Sequence, residues 1–442
     1  VDKLLLRQKQ GFCCVSPVGH NALGREFERV LPAGSVANLY PFNYSGKTDP
    51  KGIYIGKDKY GSNIVVDFDR RESDKTSANI LILGNSGQGK SYLMKLLICN
   101  LLEAGKSVIS LDAEHELEEL CRNLGGCFID LMAGEKRINV LEVRCWDEGD
   151  TSETDESAPE AFRKSTLLAR HISFLKDFFR AYKEFSDPQL DTIEIMLSKL
   201  YQKWGITEET DFRQLAPEDY PILSDLYALM EEELRHYQAG SLYTRELLQE
   251  VLLGLHSLCM GADAPFFNGH TNITGDRFLV FGVGGMLTAA KSLRNALLFN
   301  VLAYMSDRLL TAGNTVAALD ELYLWLSNPV AIEYIRNCLK RVRKRDSALL
   351  MASQNLEDFD QEGVREMTKP LFAIPPHQFL FNPGSIGRRF YMDMLQLDEA
   401  EFELIRHARR GECLFKCGAE RYLLEVKAPP HKAALFGTAG GR

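Results

Sequence analysis

Eight consecutive residues, Gly84-Asn85-Ser86-Gly87-Gln88-Gly89-Lys90-Ser91, follow the spacing G-x-x-x-x-G-K-[ST]. That spacing serves phosphate binding. Its glycines let a loop curl without Cβ clashes. The amides of Gly87 through Lys90 then point inward at an anion, helped by the N-terminus of the helix that follows. Lys90 is expected to reach the β- and γ-phosphates of ATP, and the Ser91 hydroxyl to ligate Mg2+. Tyr92 closes the stretch expected to touch nucleotide. A plain glycine-rich turn ahead of a helix is the alternative. An apolar run before the loop and a helical period after it both favour the phosphate reading.

A second set of chemical groups lies more than two hundred residues on. Thr315-Val-Ala-Ala-Leu-Asp320-Glu321 is an apolar run ending in two carboxylates. This is the pattern of a buried strand whose carboxyl end meets a ligand crevice. Asp320 is expected to hold the Mg2+ shell, and Glu321 to orient and polarise the attacking water as general base. The next apolar run, Ala348–Ser353, ends at Gln354, whose amide can bond both that water and the γ-phosphate. Arg341, Arg343, Lys344 and Arg345 cluster just before it. They fit a solvated helix end, or an arginine finger for a neighbouring subunit with Arg343 foremost. Arg388 and Arg389 form a second candidate pair. Asp112 and Glu114 follow another strand, where they either touch Mg2+ waters or open the next helix as its N-terminal acids.

These groups need a frame to hold them. Residues 78–145 alternate apolar runs with helical periods, the signature of a parallel sheet with crossover helices. Residues 146–160 are acidic and nearly devoid of apolar side chains, and read as an exposed linker. From 161 to about 261 the period is helical four times over, an all-α insertion. Strand patterns then return to the end of the chain. Ahead of the core, Lys51–Lys57 and Ser62–Phe68 read as a hairpin. The expected fold is α/β, a RecA-like core with a mainly parallel central sheet, an all-α lobe and a small N-terminal β element. Its divisions are 1–75 (β element), 76–145 (core, first part), 146–265 (linker and lobe) and 266–442 (core, second part).

The net charge of −9 over 442 residues does not favour whole-surface attraction to nucleic acid. Ten scattered cysteines without a Cys-x-x-Cys pair read as free thiols in a reducing cytosol. No apolar run approaches the roughly 20 residues that span a bilayer.

Taken in order, the segments resemble the VirB4-type ATPases of type IV secretion and conjugation systems, specifically their C-terminal motor domain. The resemblance is carried by YPFNYSGKTDPKGIYIGKDKYGSNIVVDF, ILILGNSGQGKSYLMK, VISLDAEHELEEL and FFNGHTNI. It continues through LRNALLFNVLAYMSDR ahead of ALDELYLWL, and LDEAEFELIRHARRGECLFKCG. Relatives in this wider group place an Arg-Lys pair eleven residues before the strand-tip Gln. Arg343-Lys344 stands at that distance from Gln354, which supports Arg343 as a finger acting in trans. The resemblance implies an ATP- and Mg2+-dependent motor at the cytoplasmic face of the cell membrane, energising pilus or channel assembly and substrate transfer. Its implied partners are other type IV secretion subunits and further copies of itself, as a hexamer when active and a monomer in isolation. Membrane contact would run through partners or through an N-terminal domain of the kind that family members usually carry. Two alternatives stand beside it: a DNA-translocating motor of the coupling-protein or HerA/FtsK kind, and a nucleotide-gated assembly module without turnover.

Overall fold

Strands covered on both faces read as unbroken apolar runs, and the runs of this chain fold that way. The computed structural model describes residues 5–16, 20–25, 31–37, 46–144, 166–273, 275, 277–325, 329–354, 365–384 and 388–438. The acidic stretch read as a linker lies outside the described residues. Residues Val1–Ser45 form one compact unit and Gly46–Arg442 another. The first holds short helices at Gln8–Val15 and Ala33–Ala37.

The second unit is built on a twelve-stranded sheet. Its strands are β1 (Lys47–Thr48), β2 (Ile53–Asp58), β3 (Asn63–Val66), β4 (Ile80–Leu83), β5 (Ser107–Asp112) and β6 (Cys127–Asp130). They continue with β7 (Phe278–Gly282), β8 (Thr315–Leu319), β9 (Ala348–Ser353), β10 (His377–Leu380), β11 (Glu412–Cys417) and β12 (Glu420–Val426). The spatial order is β1-β3-β2-β12-β11-β10-β4-β9-β8-β5-β7-β6. From β10 through β6 every neighbouring pair is parallel. Beyond β10 the ladder turns antiparallel through β11, β12, β2 and β3. The expected hairpin is present as β2 and β3, but β2 pairs with β12, so this β element extends the central sheet. The fold is the RecA-like α/β architecture expected from the sequence.

Every residue of β4, β7, β8, β9 and β10 is buried. Alternate residues of one strand serve two cores, as the pleat requires. Ile80 and Ile82 join Leu93, Leu96 and Leu97 of the helix Lys90–Glu103 on one face. Leu81 and Leu83 join Leu297 and Val301 of the helix Lys291–Asp307 on the other. The four expected lobe helices appear at Leu167–Tyr182, Asp187–Lys203, Leu223–Arg235 and Arg245–Cys259. Their starts are set locally. Thr166 accepts the Ala169 amide, Thr244 accepts the Leu247 amide, and Ser186 forms a capping box with Gln189. The lobe shares its core with the second face of the sheet. Phe174 stacks on Phe299 at 5.1 Å, and buried Arg144 donates to the Asn300 side chain at 2.6 Å. Among the described residues no helix is long and apolar enough to cross a membrane, and the nine described cysteines are free.

Candidate functional site

Three neighbouring parallel strands carry the chemical groups singled out in the sequence. Leu83 of β4 lies opposite Ser353 of β9, and Leu319 of β8 lies opposite Met351 of β9. The chain therefore leaves β4 into Gly84, leaves β9 into Gln354 and leaves β8 into Asp320 at the same edge of the sheet. With β9 between them, the ends of β4 and β8 stand about 10 Å apart.

The loop after β4 has the shape its glycines allow. Gly84, Gly87 and Gly89 have φ of 152°, 74° and 108°. At Gly84 no other residue fits, because a Cβ there would lie 2.5 Å from the Cβ of Phe381. Gly89 caps the helix Lys90–Glu103, whose first amides face the loop. Lys90 is 7% exposed and its Nζ donates to the Asn85 carbonyl at 3.1 Å. Burial lowers the Lys90 ammonium below its ordinary range, while Glu321 and Asp320 draw it back up. Ser91, the second residue of the helix, is half-buried. Tyr92 points elsewhere: its hydroxyl accepts the Ala428 amide at 3.2 Å and its ring meets Phe436 edge-on at 5.1 Å. In this structure Tyr92 serves packing against residues near the C-terminus.

The two acids after β8 are crowded and nearly dry. The Asp320 amide donates to the Leu111 carbonyl, and the Glu321 amide donates to Asp320 Oδ1 at 2.9 Å. Glu321 sits at φ 49°, a conformation uncommon for a residue with a side chain. The side chain of Gln354 hydrogen-bonds Glu321. Burial, with Glu321, Glu116 and Asp112 adding to it, pushes the Asp320 carboxyl up to about 8. Burial pushes Glu321 up to about 7, against the pull of Lys90. Glu321 Oε2 is buried and has no hydrogen-bond partner among the described residues. Carboxylates held this far toward neutrality, with an oxygen left over, fit a place that receives a cation. Mg2+ binds through one or two protein ligands, with phosphate oxygens and water completing its shell. The chemistry of Ser91 and Asp320 and the glycine cradle fit Mg2+ and ATP.

Other candidates divide. Asp112 is fully buried, and its two oxygens accept the amides of Glu116 and Leu117 at 3.1 and 2.8 Å. It holds the turn after β5. Glu114 is exposed, yet its charge reaches both Lys90 and Glu321. Arg343 lies exposed in the turn Val342–Arg345, before β9, whereas Gln354 follows β9. The six residues of β9 separate them by about 20 Å, so Arg343 sits at the opposite edge from its own phosphate loop. Arg388 is held by Glu399 and Glu403 and lies over the Phe402 ring. Arg389 is exposed.

Sequence reading missed the wall behind the loop. Asn85 donates its amide to the Asn382 carbonyl at 2.9 Å, and Gly411 donates its amide to the Gln88 carbonyl at 2.9 Å. Phe381 and Asn382 follow β10, which pairs with β4, and Gly411 precedes β11, the next strand out, all some three hundred residues away in sequence. The Asn-Pro-Gly turn at 382–384 marks a loop, but nothing in it points to residue 85. Glu116, two residues past Glu114, was missed as well.

A profile of the family described as "Helicase HerA, central domain" matches residues 53–251. The solved structure of VirB4 from Thermoanaerobacter pseudethanolicus is 31% identical and superposes with a TM-score of 0.74. The match covers 88% of this chain and all of that one. An uncharacterized protein of Bacillus anthracis is 24% identical, over 93% of this chain and 69% of its own length. Protein TraC of Escherichia coli K12 is 23% identical, over 79% of this chain and 37% of its own length. The chain thus spans about two thirds of the first curated relative and little more than a third of the second.

Proposed function

The chain belongs to the VirB4 family, and from that premise we propose that it is an ATP-hydrolysing motor that powers type IV secretion and conjugative transfer. The observation that carries this reading is the shared sheet edge of the phosphate loop, the Asp320–Glu321 pair and Gln354. Those are the parts a nucleoside triphosphatase needs: a phosphate cradle, a cation ligand, a base and a group touching both water and γ-phosphate.

The amides of Gly87 through Lys90 cradle the phosphates, and the Lys90 ammonium balances their charge. Ser91 and Asp320 hold Mg2+, which when bound neutralises charge building on the phosphate oxygens. Glu321 orients the attacking water through an oxygen that has no other partner among the described residues. Gln354, bonded to Glu321, reports the state of the γ-phosphate to β9. Arg343 completes the site of a neighbouring copy, because it lies a strand's length from its own. In this reading the core is formed by residues 76–145 and 266–442, preceded in sequence by the β element of 1–75 and interrupted by the linker and lobe of 146–265. The working state is a hexamer, and its partners are other transfer subunits at the cytoplasmic face of the membrane.

The match to the HerA central domain favours a second reading, a motor that moves DNA. One experiment serves both. Phosphate release is measured against protein concentration, with and without single- and double-stranded DNA, beside a sizing measurement. A secretion motor gives a specific rate that climbs with assembly and ignores DNA. A DNA motor gives DNA-stimulated turnover that fades as salt rises. No release from a verified oligomer with Mg2+ would sink the hydrolysis reading and leave a nucleotide-gated assembly module. Lys90→Ala sets the baseline by removing the phosphate-balancing charge.

A further inference from the structure

Glu116 sits in the turn after β5, and its charge is felt by Lys90, Asp320 and Glu321. β5 and β8 run parallel with Leu111 opposite Leu319. The turn after β5 therefore emerges beside Asp320 and Glu321. That turn is rigid. Asp112 accepts the amides of Glu116 and Leu117. His115 takes a positive φ of 57° and its ring packs edge-on against Phe128 at 5.3 Å. The Glu116 backbone is thereby fixed, and its carboxylate acts on Lys90, Lys95, Asp320 and Glu321. For Lys95 it is the foremost opposing charge, although the Lys95 ammonium donates to the Phe436 carbonyl at 3.0 Å.

The Glu116 Oε2 atom is buried and has no hydrogen-bond partner among the described residues. A buried carboxylate oxygen without a donor is uncommon, because the lost hydration is not replaced. Glu321 presents a second such oxygen at the same edge, in a side chain that is 7% exposed. Two unmatched acceptors just beyond the neighbouring strands β5 and β8 call for donors at this end of the sheet. A hydrated divalent cation supplies them, since its bound waters are strong donors and its charge matches the surrounding acids.

We propose that Glu116 is an outer-sphere carboxylate of the Mg2+ site, accepting hydrogen bonds from waters on the ion held by Ser91 and Asp320. This rests on the nucleotide-site reading above. Outer-shell partners orient what the ion binds, and losing one weakens metal affinity about 10- to 100-fold. A purely structural Glu116, present only to balance Lys95, would leave metal affinity alone.

The test uses the full chain, with Mn2+ as the probe followed by its magnetic resonance signal in the presence of ADP. ADP alone is titrated by calorimetry in EDTA. Glu116→Gln keeps the size and removes the charge. It is expected to weaken Mn2+ binding about 10- to 100-fold while ADP affinity in EDTA holds. Glu114→Gln, an exposed neighbour, is the comparison and is expected to move Mn2+ affinity less than Glu116→Gln does. Parent-like Mn2+ affinity in Glu116→Gln overturns the proposal. So does an equal loss with and without the metal. Should Glu116→Gln fail to fold, Glu116→Asp retains the charge but retracts it, and parent-like Mn2+ affinity there overturns the proposal equally. Failure of the parent chain to bind ADP at all, or indifference of binding to Lys90→Ala, instead removes the nucleotide-site reading and this proposal with it.

Discussion

Replacing Glu321 by Gln should make the protein more stable and less active at once. Glu321 is 7% exposed, and burial lifts its carboxyl from the ordinary 4.5 to about 7. The sign follows from proton counting. Between those two values the unfolded chain has lost the proton and the folded chain still holds it. Stability therefore falls as pH rises through that window, and the full penalty applies above it. At about 1.4 kcal/mol per pH unit, the ionised side chain costs the folded state about 3 kcal/mol at pH 8. Gln has the same size and no charge, so it removes that cost. With an unfolding entropy of about 2 cal/mol/K per residue, the melting point should rise by about 4 °C. The gap should close as the buffer approaches pH 4.5, where the parent carboxyl is protonated in the folded state. Hydrolysis should fall by about 10²- to 10⁴-fold, the usual worth of a general base, while nucleotide binding persists. Melting of the nucleotide-free protein at pH 8 and near pH 4.5, phosphate release, and ATP titration supply the readouts. A variant that turns over ATP at the parent rate refutes Glu321 as the base. A variant that melts below the parent at pH 8 refutes the burial argument itself.

Arg343→Ala should leave the monomer's fold and nucleotide affinity intact and lower turnover by about 10³-fold or more in the assembled state alone. Mixing it with Glu321→Gln should restore some activity in the mixed oligomer, where an intact finger meets an intact base, and phosphate release against mixing ratio measures this. Gly84→Ala places a Cβ 2.5 Å from that of Phe381, which should cost about 3 kcal/mol through strain and overpacking, seen as a lower urea midpoint with nucleotide binding lost. His171, fully buried at the junction of lobe and sheet, is held down to about 3 by burial and by nearby Arg144. The unfolded chain takes up that proton below pH 6.5 and the folded one does not, so stability declines as acid is added, by about 1.4 kcal/mol per pH unit. His171→Phe should remove this share of the acid sensitivity, and urea titrations at several pH values between 5 and 7 would show whether the slope changes.

Much of this protein was legible from its sequence, and for a local reason. A phosphate loop is a short run whose glycines and lysine act within a few residues of one another, so Gly84 through Ser91 declare themselves. The apolar runs of β4, β5, β7, β8 and β9 and the four lobe helices are likewise set by patterns shorter than twenty residues. The pair Asp320-Glu321 and Gln354 stand out because they end two such runs. Which runs become neighbours is a different matter. Placing β9 between β4 and β8, and β10 beside β4, depends on side-chain packing across both faces of the sheet and on pairings that span hundreds of residues. That arrangement alone decided that Asn382 and Gly411 brace the phosphate loop and that the β2–β3 hairpin continues the sheet. It also set Asp112 to capping a turn, tied Arg388 to Glu399 and turned Tyr92 toward Phe436. It put Arg343 a full strand's length from its own loop. A residue's type says what it is able to do, whereas its partners are fixed by the lowest free energy of the whole packed chain, which no short stretch of sequence contains.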